Sequence, residues 1–334
     1  MWGNRQGWLL AAALVAVVAI ALGLITRGPG IAKPTEWSAD PAHFQPLELP
    51  RLGTHLPLPR DQENAIDLTP ADRNPAFRAA INDVLKNRAL YEDFAAGGDL
   101  KSPKRQQLQA AEDIVAATRS HHGWLFLPHP EQVINYEQTK PPLEALELLG
   151  RVMVDRLALL GEKAGDHDAA ARYAGSAFAL GQMLCTERVC YAEFDLGMQL
   201  LGKSTPLLAR VAEAKGDAAG AAALRDFDAR RVQFVKEQIE PVARFVRTID
   251  PKTIGRRTGD VFELARRSDE RMWRVEAILA LGRVRFLAGE GGTAATQRAA
   301  TRLVTELAAS DPDPAIRAAA AAARDLTVEQ HRMQ

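Results

Sequence analysis

Residues 141–184 read PPLEALELLGRVMVDRLALLGEKAGDHDAAARYAGSAFALGQML, and their periodicity decides the fold. Leu143, Leu146, Leu149, Met153, Leu157 and Leu160 follow one another at steps of three or four, which predicts one apolar face of a helix. Pro141 and Pro142 suit its first turn, where a missing N–H costs nothing. Gly165-Asp166 breaks the pattern, and alanines 169, 170, 174 and 177 then predict a second helix of small residues. The expectation is a helical hairpin, with a large-residue helix packed on a small-residue one.

The same grammar runs through the rest of the chain. Asn74-Pro75 reads as an N-cap followed by a first-turn proline. Phe77, Ile81, Val84, Leu85 and Leu90 then form a helical stripe that ends at Gly97-Gly98. A further helix is expected over 104–122, carrying Leu108, Ala111, Val115 and Thr118, with Gly123 as its left-handed cap. Leu224, Phe227, Val235 and Ile239 predict a long helix that Pro241 bends or ends. Asp260 to Glu263 has the shape of a capping box opening the next one. Alanine and leucine dominate the 334 residues, and no convincing alternating strand pattern follows the first thirty. The predicted class is all-α.

Composition bounds the function. Forty-two basic residues balance forty-two acidic ones, so no whole-chain field draws in nucleic acid, and none is expected as a partner. Trp8 to Thr26 is nineteen residues without a charge, a length that matches about 30 Å of hydrocarbon. No small-residue cleavage site closes it, so the expectation is an uncleaved signal anchor at 8–26 behind a head at 1–7, rather than a cleaved signal peptide. That makes the chain a single-pass membrane protein with its bulk extracytoplasmic, in a periplasm-like compartment. From Gly28 to Pro75 lie nine of the nineteen prolines, so 27–73 is expected to be a semi-rigid spacer.

Two internal similarities shape the remainder. EKAGDHDAAA at Glu162–Ala171 returns as EAKGDAAGAA at Glu213–Ala222, an offset of fifty-one. In the turn glycine, the following aspartate and the small residues beyond it, the chain resembles tetratricopeptide (TPR) repeats. Because the TPR period is about 34, an extra helix or long loop is expected between the two units. The resemblance implies a TPR-like helical domain over 74–250. Asp269–Gly282 and Asp311–Arg324 form the second pair. Val275, Ala277 and Ala280 match Ile316, Ala318 and Ala321 at an offset of forty-one. These stretches resemble the second helices of HEAT repeats, whose period is about 40–47. That likeness implies HEAT-like hairpins over 251–334, with the alanine-rich last helix as a terminal cap.

Three groups of residues could carry chemistry or binding. Cys185 and Cys190 are the only cysteines. At a helix–turn–helix corner they could close a small disulfide loop; the alternative is two free buried thiols. His121, His122 and His129 could supply zinc ligands, against the plainer reading of cations at a helix C-terminus. Between them Trp124 and Phe126 could form a partner-binding patch if exposed. A basic run from Arg244 to Arg274, diluted by Asp250, Asp260, Glu263, Asp269, Glu270 and Glu276, reads as a solvated helix face. There is no phosphate-cradling glycine loop, no Gly-x-Ser-x-Gly elbow and no His-Glu-x-x-His, so no catalysis and no cofactor are expected. The expectation is a membrane-anchored α-solenoid that serves as a protein–protein interaction scaffold in the cell envelope. A metal-binding or enzymatic protein built on the histidines, and a self-associating structural subunit, are the alternatives.

Overall fold

The computed structural model describes residues 75–98, 108–120, 136–247, 251–284, 286 and 294–326. The regular elements among them are all helical. They run α1 (Pro75–Lys86), α2 (Arg88–Ala95), α3 (Gln109–Ser120), α4 (Tyr136–Arg151) and α5 (Leu159–Lys163), then α6 (His167–Glu187) and α7 (Tyr191–Ala214). Next come α8 (Ala218–Phe234), α9 (Glu240–Arg247), α10 (Pro251–Arg267), α11 (Arg271–Val284), α12 (Ala294–Ser310) and α13 (Pro314–Asp325). Two π-helical segments, Val152–Ala158 and Val235–Ile239, join α4 to α5 and α8 to α9 without a break.

Consecutive helices pack as antiparallel neighbours: α6 on α7, α7 on α8, α10 on α11 and α12 on α13. The second helices of the last two pairs, α11 and α13, also pack on each other. Hairpins laid side by side in this way are consistent with an α-solenoid.

The repeated turn takes the same shape twice. Gly165 and Gly216 adopt left-handed φ values of 73° and 80°, as a helix C-cap demands. Behind each, an aspartate caps the next helix: the Asp166 side chain accepts from Ala169 N, and that of Asp217 from Gly220 N. No extra helix or long loop separates the two turns. The fifty-one residues are filled by α6 and α7, at 21 and 24 residues, so the longer period comes from longer helices. Bridges such as Lys203–Asp155 and Arg210–Glu162 tie α7 to the α4–α5 helix that precedes it.

Several boundaries move from their sequence expectation. The leading helix of the hairpin begins at Tyr136, so Pro141 and Pro142 fall in its second turn. Leu143, Leu146, Leu149, Met153 and Leu157 are buried as expected, but Leu160 is 45% exposed. The wide π turn adds a residue to the register, which carries Leu160 off the core face and turns Gly161 onto it. Pro241 does not end its helix. The π segment just ahead of it rearranges the turn whose hydrogen bond proline cannot make, and α9 continues. Asp260 lies inside α10, which opens at Pro251, and so does not mark the start of that helix.

The placement as a single-pass membrane protein is corrected. Among the described residues no helix is long and apolar enough to cross a membrane. Helix α7 has the length, but Glu193, Asp195, Lys203, Arg210 and Glu213 interrupt it. Trp8–Thr26 and the proline-rich 27–73 lie outside the described residues.

The last helix packs by its small residues. Ala315, Ile316, Ala318, Ala319, Ala320 and Ala323 of α13 are all buried. A methyl carbon added at Gly282 would lie 2.8 Å from Ala323 Cβ, so small residues set how closely α11 and α13 approach.

Candidate functional site

The most unusual chemistry among the described residues gathers where α6 turns into α7. The segment CTERVCYAEF, 185–194, places Cys185, Glu187, Val189, Cys190, Glu193 and Phe194 in the interior. Helix α6 ends on Arg188, the one non-glycine residue with positive φ among those described, at 32°. A left-handed arginine carries steric strain that a glycine would avoid, so it persists only where its surroundings hold it. Its guanidinium does that. Nη1 donates to the carbonyls of Cys185 and Thr186 at 3.3 and 3.1 Å, closing the C-terminus of α6. Nε donates to Glu270 Oε1 at 3.0 Å, across to the turn that opens α11.

Three more contacts fasten the corner. Tyr191 N donates to Glu276 Oε1 at 3.1 Å. The Tyr191 ring stacks on Trp273, with centroids 5.6 Å apart and planes inclined by 22°. Ser268 Oγ accepts from Glu270 N at 3.1 Å, fixing the turn that carries the acceptor of Arg188. Among the described residues direct helix-to-helix packing across this boundary is sparse, chiefly α7 and α9 against α11, so these polar and aromatic ties do much of the joining.

Inside the corner sits a carboxyl pair. Glu193, in the first turn of α7, has no exposed surface. Its Oε2 accepts from Val189 N at 2.8 Å, while Oε1 meets no donor in the protein. Glu187 lies within hydrogen-bonding reach of it. Two ionised carboxylates in contact away from water repel each other strongly, and one proton between them replaces that repulsion by a hydrogen bond. Burial pushes the Glu193 carboxyl up to about 7, against the pull of Glu187, the turn amides and Arg271. Burial also raises Glu276.

The cysteines belong to this corner. Both are free, buried thiols. Burial first, and the Glu193 carboxylate second, push both upward, which keeps them protonated and unreactive. Cys185 Sγ donates to the Phe194 carbonyl at 3.8 Å. Beside it α6 and α7 approach closely: a methyl carbon at Gly197 would lie 2.6 Å from Cys185 Sγ and 2.8 Å from Gly181 O.

The other candidates are placed as follows. His121, His122, Trp124, Phe126 and His129 lie outside the described residues. Among the described residues no group of three His, Cys, Asp or Glu side chains is arranged to hold a metal ion. In the basic run, Arg244, Arg267, Arg271 and Arg274 each pair with a carboxylate: Glu240, Glu263, Asp313 and Asp311.

Comparison with protein-family models, with curated proteins and with solved structures finds no match for this chain. The internal repeat is therefore the frame in which the corner is read. Glu270 and Asp311 stand forty-one residues apart, the same offset that relates α11 to α13. Both are buried at the turn ahead of a second helix. Both receive a guanidinium from earlier in the chain, Arg188 on Glu270 and Arg274 on Asp311. Sequence reading stopped at the cysteines and missed the glutamates between and beside them. The signal was present, since Glu193 stands four residues before Gly197 and so shares the core face of α7.

Proposed function

We propose that this chain is an α-solenoid scaffold of TPR-like and HEAT-like hairpins, whose stacked helices present an extended surface to a protein partner. The observation that supports it is the repeated tie from one hairpin to the next, Arg188 on Glu270 and then Arg274 on Asp311. The two acceptors stand forty-one residues apart, and ties between neighbouring units are what hold a quasi-one-dimensional array together. Arrays of this kind recognise other proteins along their length, and specificity comes from a few anchors within that surface. Trp124 and Phe126 are the proposed anchors, because large aromatic side chains dominate interface energetics. That step rests on architecture, and the partner is a protein of unassigned identity.

The test is cross-linking in intact cells, followed by capture of the full-length protein and mass spectrometry. A partner recovered in fixed proportion, and lost on Trp124→Ala or Phe126→Ala with folding intact, is the expected result. Recovery of the chain alone, or of copies of itself only, overturns the scaffold reading in favour of a self-associating subunit.

A further inference from the structure

We propose that the corner between α6 and α7 is a proton-operated latch: one proton shared by Glu187 and Glu193 keeps the corner closed on α11, and its loss frees the α10–α13 hairpins to move against the helices before them.

Glu193 Oε1 is buried and has no donor in the protein, whereas Oε2 is held by a backbone N–H. A carboxylate in that position would carry an unsatisfied charge away from water, at considerable cost. One proton held between Glu187 and Glu193 replaces two facing charges by a hydrogen bond.

The surroundings make the proton matter. Glu193 meets Glu187, the Val189 and Cys190 amides and Arg271; around them stand Arg188, Asp195 and Arg231 near Cys185, Glu276 near Cys190, Arg283 near Glu276, and Glu270 on Arg188. The cations are committed elsewhere: Arg188 to Glu270, Arg231 to Asp228 and Arg271 to Asp313. Deprotonation therefore sets a second negative charge beside Glu187, among guanidinium groups that already hold other carboxylates. Arg188 is the cation that can respond, being next to Glu187 in the chain and strained where it is. If it turns to the new charge it must leave Glu270, and the tie between the α6–α7 corner and α11 is lost. Tyr191 N on Glu276 and the Tyr191–Trp273 stack are carried by the same turn and loosen with it.

The device needs no ligand and goes beyond the scaffold reading, since it concerns how the array flexes and not what it holds. The proton and the opening can be read separately in the full-length protein. Infrared spectroscopy should show the carbonyl stretch of a buried, protonated carboxylic acid below about pH 6 and its loss above about pH 8, with Glu193→Gln lacking the band at every pH. Hydrogen exchange, corrected for the intrinsic pH dependence of amide rates, should quicken several-fold over the same interval at 188–195 and 270–276. It should stay flat in Glu193→Gln, whose amide keeps a donor for Glu187. An infrared band that is absent throughout, or that persists at high pH, overturns the shared proton. A titrating band with unchanged exchange in both segments overturns the latch. Should Glu193→Gln fail to fold, the wild-type band together with Glu187→Gln decides the matter by the same two readings.

Discussion

Glu193 shows how much one side chain owes to its place. In the unfolded chain its carboxyl is an ordinary one near 4.5, and burial raises it to about 7 in the folded state. The folded protein therefore binds a proton that the unfolded chain has already released between those values. Stability from this group is fully present below about 4.5 and is lost as the pH rises through about 7. Glu193→Gln should remove that loss. Thermal unfolding followed across pH should show the variant more stable than wild type above pH 7 and nearly equal to it in acid; a constant difference at all pH values would contradict the assignment. The glycines give a second residue-scale contrast. Gly197→Ala drives a methyl group against backbone and sulfur where α6 and α7 cross, which should cost about 1–3 kcal/mol or more in urea denaturation. Gly175, in the same hairpin, has open space at its β-position. Gly175→Ala should be neutral or stabilise by up to about 1 kcal/mol, through the lower backbone freedom of alanine.

At the scale of elements, most of the helices are legible because their causes are local. Turn glycines, aspartate caps and three-to-four spacing each act within a few residues, so Gly165-Asp166 and Gly216-Asp217 announce their turns without help from the rest of the chain. Since both aspartates cap by the same hydrogen bond, Asp166→Ala and Asp217→Ala should each lower stability by about 1 kcal/mol in chemical denaturation, and by similar amounts. A cost confined to one of the two would break the equivalence of the repeats. The misreadings arose where a local rule met a distant demand. Leu160 followed the apolar spacing, but the π segment ahead of it slid the register so that Gly161 could face Ala170 N, 2.9 Å from where a methyl carbon would sit. Asp260 had the spacing of a cap yet lies within α10. The alanines of α13 are buried against α11, where Gly282 leaves room for Ala323 to approach.

For the whole molecule, the question is how hairpins that each expose an apolar face become one array. Arg274 and Asp311 are the tie inside the last two hairpins, with side chains 14% and 5% exposed. Arg274→Ala leaves that carboxylate buried without its cation and should cost about 3–5 kcal/mol, measured by urea unfolding at neutral pH. Arg188→Ala breaks the corresponding tie at the α6–α7 corner. Because helix packing across that boundary is sparse, it should split unfolding into two steps, with exchange in α10–α13 rising before that in α6–α8. A single cooperative transition in Arg188→Ala would mean that the ties are not what couples the two parts. The sequence by itself determined the helical class, the hairpin turns with their caps, and the two internal offsets, since all of these follow from backbone preference and spacing along the chain. Only the tertiary structure decided that Glu187 and Glu193 face each other in a dry corner, that Arg188 is held left-handed to reach Glu270, and that glycines permit close helix crossings. A charge becomes costly, and a missing methyl group becomes necessary, only when another part of the chain arrives to exclude the water and fill the space.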